Sequence, residues 1–227
     1  MSHKIIKVPM GKCNSYLIAT EKGFIMVDAG MPDKINKVKQ ILKEEKATLS
    51  HINLIIITHV HYDHVGCLKE LKEQSNAQVL VHKSEADLLI RGSTNMPKGT
   101  NSIAKILSKI SNKFFPNFSK FEPVLPDISI KDEYDLAPFG VDGKILHTPG
   151  HTKGSISVIL AEGDCLVGDT MFNLFPNTVF PVFANDTEEL KQSWEKIKEY
   201  DCQRFHPGHG SSFECKKFIK SLNKYET

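Results

Sequence analysis

Apolar residues along this chain fall into short strand-like runs that alternate with stretches of helical period. Tyr16-Leu17-Ile18-Ala19 and Phe24-Ile25-Met26-Val27 flank Glu21-Lys22-Gly23, which predicts a β-hairpin over 14–28. Asp28-Ala29-Gly30 closes the second strand, and Pro32 and Asp33 open an amphipathic helix with Ile35, Val38, Ile41 and Leu42 on one face. Leu54-Ile55-Ile56-Ile57 predicts a buried strand. A helix follows from Asp63 or His64 and carries Leu68 and Leu71. Another strand is predicted over Gln78–His82, and Ser84-Glu85-Ala86-Asp87 caps a further helix.

The second half repeats the order of the first. Ser155-Ile156-Ser157-Val158-Ile159-Leu160 and Cys165-Leu166-Val167 flank an Ala161-Glu162-Gly163 turn, and the second of these strands ends at Gly168-Asp169. A helix is predicted over 187–200 with Leu190, Trp194 and Ile197 inward. Arg204-Phe205 is a short strand leading into a Pro-Gly turn, His206-Pro207-Gly208-His209-Gly210. Each half therefore runs hairpin, aspartate, helix, strand, histidine loop, a likeness of element order rather than of residues. Two such halves packed sheet to sheet bring both histidine loops and Asp169 to one edge.

Residues 91–126 break this rhythm, punctuated by Pro97, Gly99, Pro116, Pro123 and Pro126. Between them lies a helix with Ile103, Ile106, Leu107 and Ile110 on one face. From 88 to 121 there are six basic residues (Arg91, Lys98, Lys105, Lys109, Lys113, Lys120) and no acidic one, and Phe114, Phe115, Phe118 and Phe121 follow the helix. The segment is expected to be an insertion over the body of a single domain spanning 1–227. Three roles fit it: a helix packed on the core with a solvated lysine face, a lid meeting an anionic or amphiphilic substrate, and a helix lying on a membrane surface.

Composition narrows the class. The chain is 40% hydrophobic and 25% charged, with a net charge of +2, too balanced to imply nucleic acid. Its five cysteines are scattered singly, which suggests free thiols in a reducing compartment. The N-terminus lacks the apolar core of a signal peptide, and no apolar run approaches the length of a membrane span, so a cytoplasmic protein is expected.

The candidate chemistry lies in Thr58-His59-Val60-His61-Tyr62-Asp63-His64, directly after the buried strand. Imidazole and carboxylate suit a borderline divalent metal such as zinc. Asp63 and His64 follow His59 and His61 within a turn and can serve a second ion beside the first. Downstream, His151 sits in a Pro-Gly turn, with Gly150 expected to let the backbone pass close to the site. Asp169 ends a strand, where a carboxylate can bridge two cations, and His209 follows Pro207-Gly208. His206 is the weaker candidate beside His209. His51, His82 and His147 flank strands as structural or supporting residues, His3 is terminal, and Cys67 and Cys165 are assigned no role.

The set T-H-x-H-x-D-H, P-G-H-T-x-G-S, G-D-T and P-G-H-G resembles the metallo-β-lactamase-fold hydrolase superfamily, especially its glyoxalase II-like members. The motifs occur here in that family's order and cover the chain apart from 91–126. The resemblance implies an α/β (α+β) fold, a four-layer αββα sandwich of two mixed β-sheets flanked by helices, with a dinuclear metal site at one edge. It assigns His59, His61 and His151 to one metal and Asp63, His64 and His209 to the other, with Asp169 bridging. Asp63 is also the candidate catalytic residue, and Asp28 props the histidine loop by hydrogen bonds. A hydroxide held between two zinc ions would attack the acyl carbon of a small-molecule ester or thioester; iron or manganese is also compatible with the ligands.

Within that family, several branches fit less well. The exported zinc β-lactamases lack the bridging aspartate, and the nucleases carry large extra domains. The chain ends 18 residues past His209, short of the glutathione-binding helical domain of true glyoxalase II enzymes. Lactonases often place a tyrosine soon after the bridging aspartate, whereas Met171-Phe172-Asn173 stands here. A thioester or ester hydrolase acting on an anionic or acyl-bearing substrate is the leading expectation. A lactonase and a mononuclear-iron persulfide dioxygenase are the alternatives.

Overall fold

The strands form two six-stranded sheets packed face to face in a computed structural model that describes residues 3–114 and 119–225. Phe115 and Phe118, among the aromatics of the insertion, lie outside the described residues. The first sheet has the order β1-β2-β3-β4-β5-β6: β1 (Ile5–Pro9), β2 (Asn14–Thr20), β3 (Gly23–Val27), β4 (Ile52–Ile56), β5 (Gln78–His82) and β6 (Ile128–Ile130). The second has the order β12-β11-β10-β9-β8-β7: β7 (Glu133–Asp135), β8 (Gly143–His147), β9 (Ile156–Leu160), β10 (Asp164–Asn173), β11 (Arg204–Gly210) and β12 (Phe213–Glu214). Both sheets are mixed. The run β1 to β4 pairs antiparallel, antiparallel, parallel, and the run β8 to β11 does the same. The repeated element order read from the sequence is thus a repeated strand topology.

Burial explains the layers. Successive side chains of a strand point to opposite faces. Ile18, Ile25, Val27, Leu54 and Ile56 meet Ile145, Ile156, Val158 and Leu166 between the sheets. Their neighbours Leu17, Met26 and Ile55 face outward onto three helices, α1 (Ile35–Glu44), α3 (Leu68–Ser75) and α4 (Lys83–Arg91), through Val38, Leu42, Leu68, Leu71 and Leu89. On the other side Val167 and Phe205 pack on α6 (Thr187–Lys198) and α7 (Cys215–Tyr225) through Leu190, Trp194, Phe218 and Leu222. Strands covered on both faces read as unbroken apolar runs, as 54–57 does. The result is the αββα sandwich.

Several elements differ from the expectation. The helix placed near Asp63 splits into α2 (Tyr62–Val65) and α3, with Gly66 and Cys67 between. β11 continues through Pro207 to Gly210, so His209 belongs to a strand rather than a turn. Gly150 (φ +124) does not serve a close approach to the histidine cluster. A Cβ there would sit 2.4 Å from Leu190 Cα, so the glycine lets the His151 turn press onto α6. The insertion helix, α5 (Ser102–Phe114), is present, but its buried residues are Ala104 and Ser108, not the isoleucine face.

Candidate metal centre

The histidine loop follows β4 at the edge where both sheets meet. Its entry is fixed by Asp28, which follows β3 at φ 61 and is buried. Asp28 Oδ1 accepts from Thr58 N (2.8 Å), and Oδ2 accepts from Thr58 Oγ1 (2.8 Å) and His64 Nδ1 (2.8 Å). The Thr58 carbonyl accepts from Ile156 N of the second sheet (2.9 Å), which ties the loop to both halves. Glu85, buried in the first turn of α4, adds a second clamp. Its Oε2 accepts from Val60 N (2.9 Å), between His59 and His61, and its Oε1 accepts from Gly154 N (3.0 Å), in the loop that carries His151.

Two groups of ligand-type atoms converge beyond these supports: His59, His61, His151 and Asp169, and then Asp63, His64 and His209; within each group the atoms lie within 4.8 Å of one another. Asp169 reaches both groups. Its Oδ2 is 3.5 Å from His151 Nε2, 3.7 Å from His59 Nε2 and 3.2 Å from His209 Nε2, and its Oδ1 is 3.3 Å from His64 Nε2. Asp63 Oδ2 is 3.5 Å from His209 Nε2, and His61 Nδ1 is 3.1 Å from His151 Nε2. Asp169 leaves the ladder at a register break in the β10–β11 pairing between Gly168 and Phe172, a local irregularity that re-aims a side chain. Gly208 leaves room for it, since a Cβ there would lie 2.4 Å from Asp169 Oδ1.

The outer ring nitrogens set the tautomers. His151 Nδ1 donates to Phe183 O (2.8 Å) and His209 Nδ1 to Lys12 O (3.0 Å), while His64 Nδ1 donates to Asp28. Thr58 Oγ1 gives its proton to Asp28, which leaves it to accept from His59 Nδ1 (3.1 Å). Each of these rings then turns Nε2 inward, the arrangement metal-ligating histidines use. Among the described residues, His59 Nε2, His64 Nε2 and Asp169 Oδ1 are buried without a hydrogen-bond partner. Buried polar atoms are ordinarily satisfied, so three orphans facing one space fit a cation. N/O donors of this kind suit zinc, iron or manganese.

Electrostatics point the same way. Burial, followed by the neighbouring imidazoles, drives His59 well below its ordinary pKa; burial also pushes His61 well below and His151 below. Burial opposes the charged form of His64 and His209 too, yet the Asp169 carboxylate raises both, helped at His64 by Asp28. Asp169 is held well below the usual carboxylate range: burial works against its charge, and His209 and His64 overcome it. An anionic carboxylate among crowded imidazoles is a pocket made for positive charge.

A cavity of about 350 Å³ opens beside the cluster, reached by His61, Asp63, His151, Asp169 and His209 and walled by Met96, Pro97, Phe172, Leu174, Val182 and Phe183. A second cavity, on the other flank of the Thr94-Asn95-Met96 strip, touches His61 and carries Arg91, Lys120 and Lys153. The lysine stripe of α5 lines neither of these cavities. The remaining histidines lie apart from the cluster. His82 and His147 stack at 4.0 Å, His206 Nε2 donates to Asp164 Oδ1 (2.7 Å), His51 caps a turn at Thr48, and His3, far from idle, bonds Ala19 O (3.1 Å). All five cysteines are free. Glu85 was missed as a supporting residue because a glutamate in a first helical turn reads as a surface cap.

The sequence profile of the Metallo-beta-lactamase superfamily matches residues 8–209. A probable metallo-hydrolase of Bacillus subtilis (strain 168), YflN, is 26% identical over 215 residues, covering 88% of this chain and 80% of that protein. A hydroxyacylglutathione hydrolase of Pelagibacter ubique (strain HTCC1062) is 28% identical over 183 residues, covering 78% of this chain and 62% of that protein. Among solved structures, the archaeal superfamily protein ST1585 from Sulfolobus tokodaii superposes with a TM-score of 0.69 at 21% identity, covering 100% of this chain and 88% of that one. With the sandwich, the edge cluster and a profile match spanning most of its length, the chain belongs to the metallo-beta-lactamase superfamily.

Proposed function

We propose that this metallo-hydrolase cleaves an ester or thioester with two divalent metal ions, zinc being the ion the ligands suit best. The observation that carries the reading is the position of Asp169, one oxygen of which faces His59, His151 and His209 while the other faces His64. A carboxylate between two complete ligand groups is what a shared pair of ions requires. When bound, the pair supplies Lewis acidity at the carbonyl and a water acidified enough to attack at neutral pH.

The chain's own residues do the rest. Asp63 combines a ligand oxygen beside His209 with a place on the cavity wall, so it can also orient the attacking water and hold its proton. Asp28, Glu85, Phe183 O and Lys12 O hold the imidazoles in place before substrate arrives, which removes reorganisation from the reaction. Apolar walls from Met96 to Phe183 exclude water around an acyl group. Arg91, Lys120 and Lys153 in the neighbouring cavity suit an anionic portion of the same molecule. The likeness to a hydroxyacylglutathione hydrolase supports an acyl substrate. Thr94, Asn95 and Met96 of the insertion form the wall shared by these chambers in a single domain, and the free thiols fit a cytoplasmic protein.

Metal analysis together with a substrate panel tests the reading. Two ions per chain and hydrolysis of S-acyl thioesters or esters are expected, both lost in Asp169→Ala. One iron per chain with oxygen uptake on a persulfide would favour the dioxygenase alternative and sink the hydrolase.

A further inference from the structure

Helix α5 shows its apolar face to solvent. Ile103 is 73% exposed, Ile106 59%, Leu107 52%, Ile110 44% and Phe114 63%. At about 100° per residue these five share one arc. The helix rests on the protein through a different, small and polar arc. Ala104 and Ser108 are buried, Ser108 Oγ donates to Pro97 O (2.7 Å), and Asn112 exchanges two hydrogen bonds with Met96 (2.9 Å each). The third arc is Lys105, Lys109 and Lys113. The helix is thus seated through one third of its circumference, leaving an apolar stripe and a cationic stripe side by side on the outside.

Isolated exposed leucines need no explanation, but a contiguous apolar stripe marks a contact surface. What covers it must tolerate cations beside it. From 88 to 121 the chain carries six cations and no acid, so a second copy of this face would set like charges against like. An anionic lipid surface meets both demands: its acyl region accepts the apolar stripe and its headgroups accept the lysines. A second apolar prominence, Leu174 and Phe175, is about half exposed. Leu174 stands on the cavity whose wall includes Met96 and Pro97, the residues on which α5 is seated.

We propose that α5 docks this protein onto the surface of an anionic phospholipid bilayer, with its isoleucine face in the acyl boundary and Lys105, Lys109 and Lys113 among the headgroups. The docking is peripheral: among the described residues no helix is long and apolar enough to cross a membrane. It does not depend on what the metal centre hydrolyses.

Flotation of the full-length protein with vesicles tests it, using phosphatidylcholine alone and an equal mixture of phosphatidylcholine and phosphatidylglycerol. Binding to the mixed vesicles, weakened by salt, is expected, with little binding to phosphatidylcholine alone. Removing three lysines in Lys105→Gln/Lys109→Gln/Lys113→Gln is expected to weaken partitioning about 100-fold, at about fivefold for each cation. Ile106→Gln/Ile110→Gln is expected to weaken it by about tenfold or more. All five positions are exposed, so the variants should keep the wild-type circular dichroism spectrum and metal content. Absence of binding to the mixed vesicles overturns the proposal, as does binding that both variants retain in full. A wild-type dimer that Ile106→Gln/Ile110→Gln converts to monomer, seen by light scattering, also overturns it, because a second copy then covers the face.

Discussion

Glu85→Gln probes how the site is held rather than what it binds. The Glu85 carboxylate joins the two segments that carry the His59–His61 pair and His151: it accepts from Val60 N at 2.9 Å and Gly154 N at 3.0 Å, one oxygen each. Burial raises its pKa, while the Val60 and Gly154 amides and the Thr152 hydroxyl draw it back down. Glutamine has almost the same shape but only one acceptor oxygen. It keeps one backbone partner and turns an amide nitrogen towards the other N–H. A hydrogen bond to a charged group contributes about 1.5–3 kcal/mol, and a buried donor left unmade costs about 1–3 kcal/mol. Relief of carboxylate desolvation offsets part of this, leaving a net loss of about 2 kcal/mol. Loosened supports of metal ligands typically lower affinity about 10–100-fold. Urea unfolding of the metal-free protein measures the first quantity, and competition against a chelating dye measures the second. A variant that is less stable yet binds metal within about twofold of wild type would show that Glu85 only anchors α4, and the clamp argument would fail.

Other outcomes follow from the same structure. Trp194→Ala removes the fully buried indole that packs on Phe180 and Phe218 and donates to Thr170 O (2.9 Å), so urea unfolding should show a loss of about 3–5 kcal/mol. His82 accepts from Ser84 N at Nδ1 and donates to Lys131 O at Nε2, and burial, then the stacked His147, lowers its pKa. Its unfolded form therefore binds protons more readily, so stability falls as pH drops through about 6.5; His147→Gln should shrink that fall in chemical unfolding from neutral pH to mildly acid pH, and an unchanged slope would contradict it. Arg91→Gln and Lys120→Gln should each raise KM for an anionic ester roughly two- to fivefold with kcat and metal content kept, and equal effects on a neutral ester would remove the electrostatic explanation.

The β2–β3 and β9–β10 hairpins, the strand that follows each, and the residues that converge at the sheet edge were legible in the sequence. Their strands are buried on both faces; the histidine loop follows β4, whereas Asp169, expected to end its strand, lies within β10, which runs on to Asn173. The short edge strands were not: β6 and β7 have three residues each, too few for a period to declare itself. α5 misled for a clearer reason. The usual rule turns the most apolar face inward, yet here the helix backbone lies so close to Gly99 that a Cβ on that glycine would sit 2.0 Å from Ala104 C. Only small residues fit such an approach, so Ala104 and Ser108 face in and the isoleucines face out. Close seating by small side chains and hydrogen bonds leaves no signature in a hydrophobicity pattern.

The repeated topology also explains why only one of two equivalent aspartates faces the cluster. Asp28 follows the third strand of the first half, and Asp169 lies within the third strand of the second, at the register break of β10. Asp28 accepts three hydrogen bonds, from Thr58 N, Thr58 Oγ1 and His64 Nδ1, and both of its oxygens are occupied by the histidine loop. Asp169 lies beside Gly168 and Gly208, and its Oδ1 is buried without a hydrogen-bond partner. The loop that Asp28 holds comes from its own half, in the step from β4 to α2. The second half has no such loop at the corresponding point, because β11 runs on as a strand through His209. Without a loop to brace, Asp169 is left to the ring nitrogens of both ligand groups. The division of labour between scaffold and ligand is therefore set by the segment after the fourth strand of each half, not by the aspartates themselves.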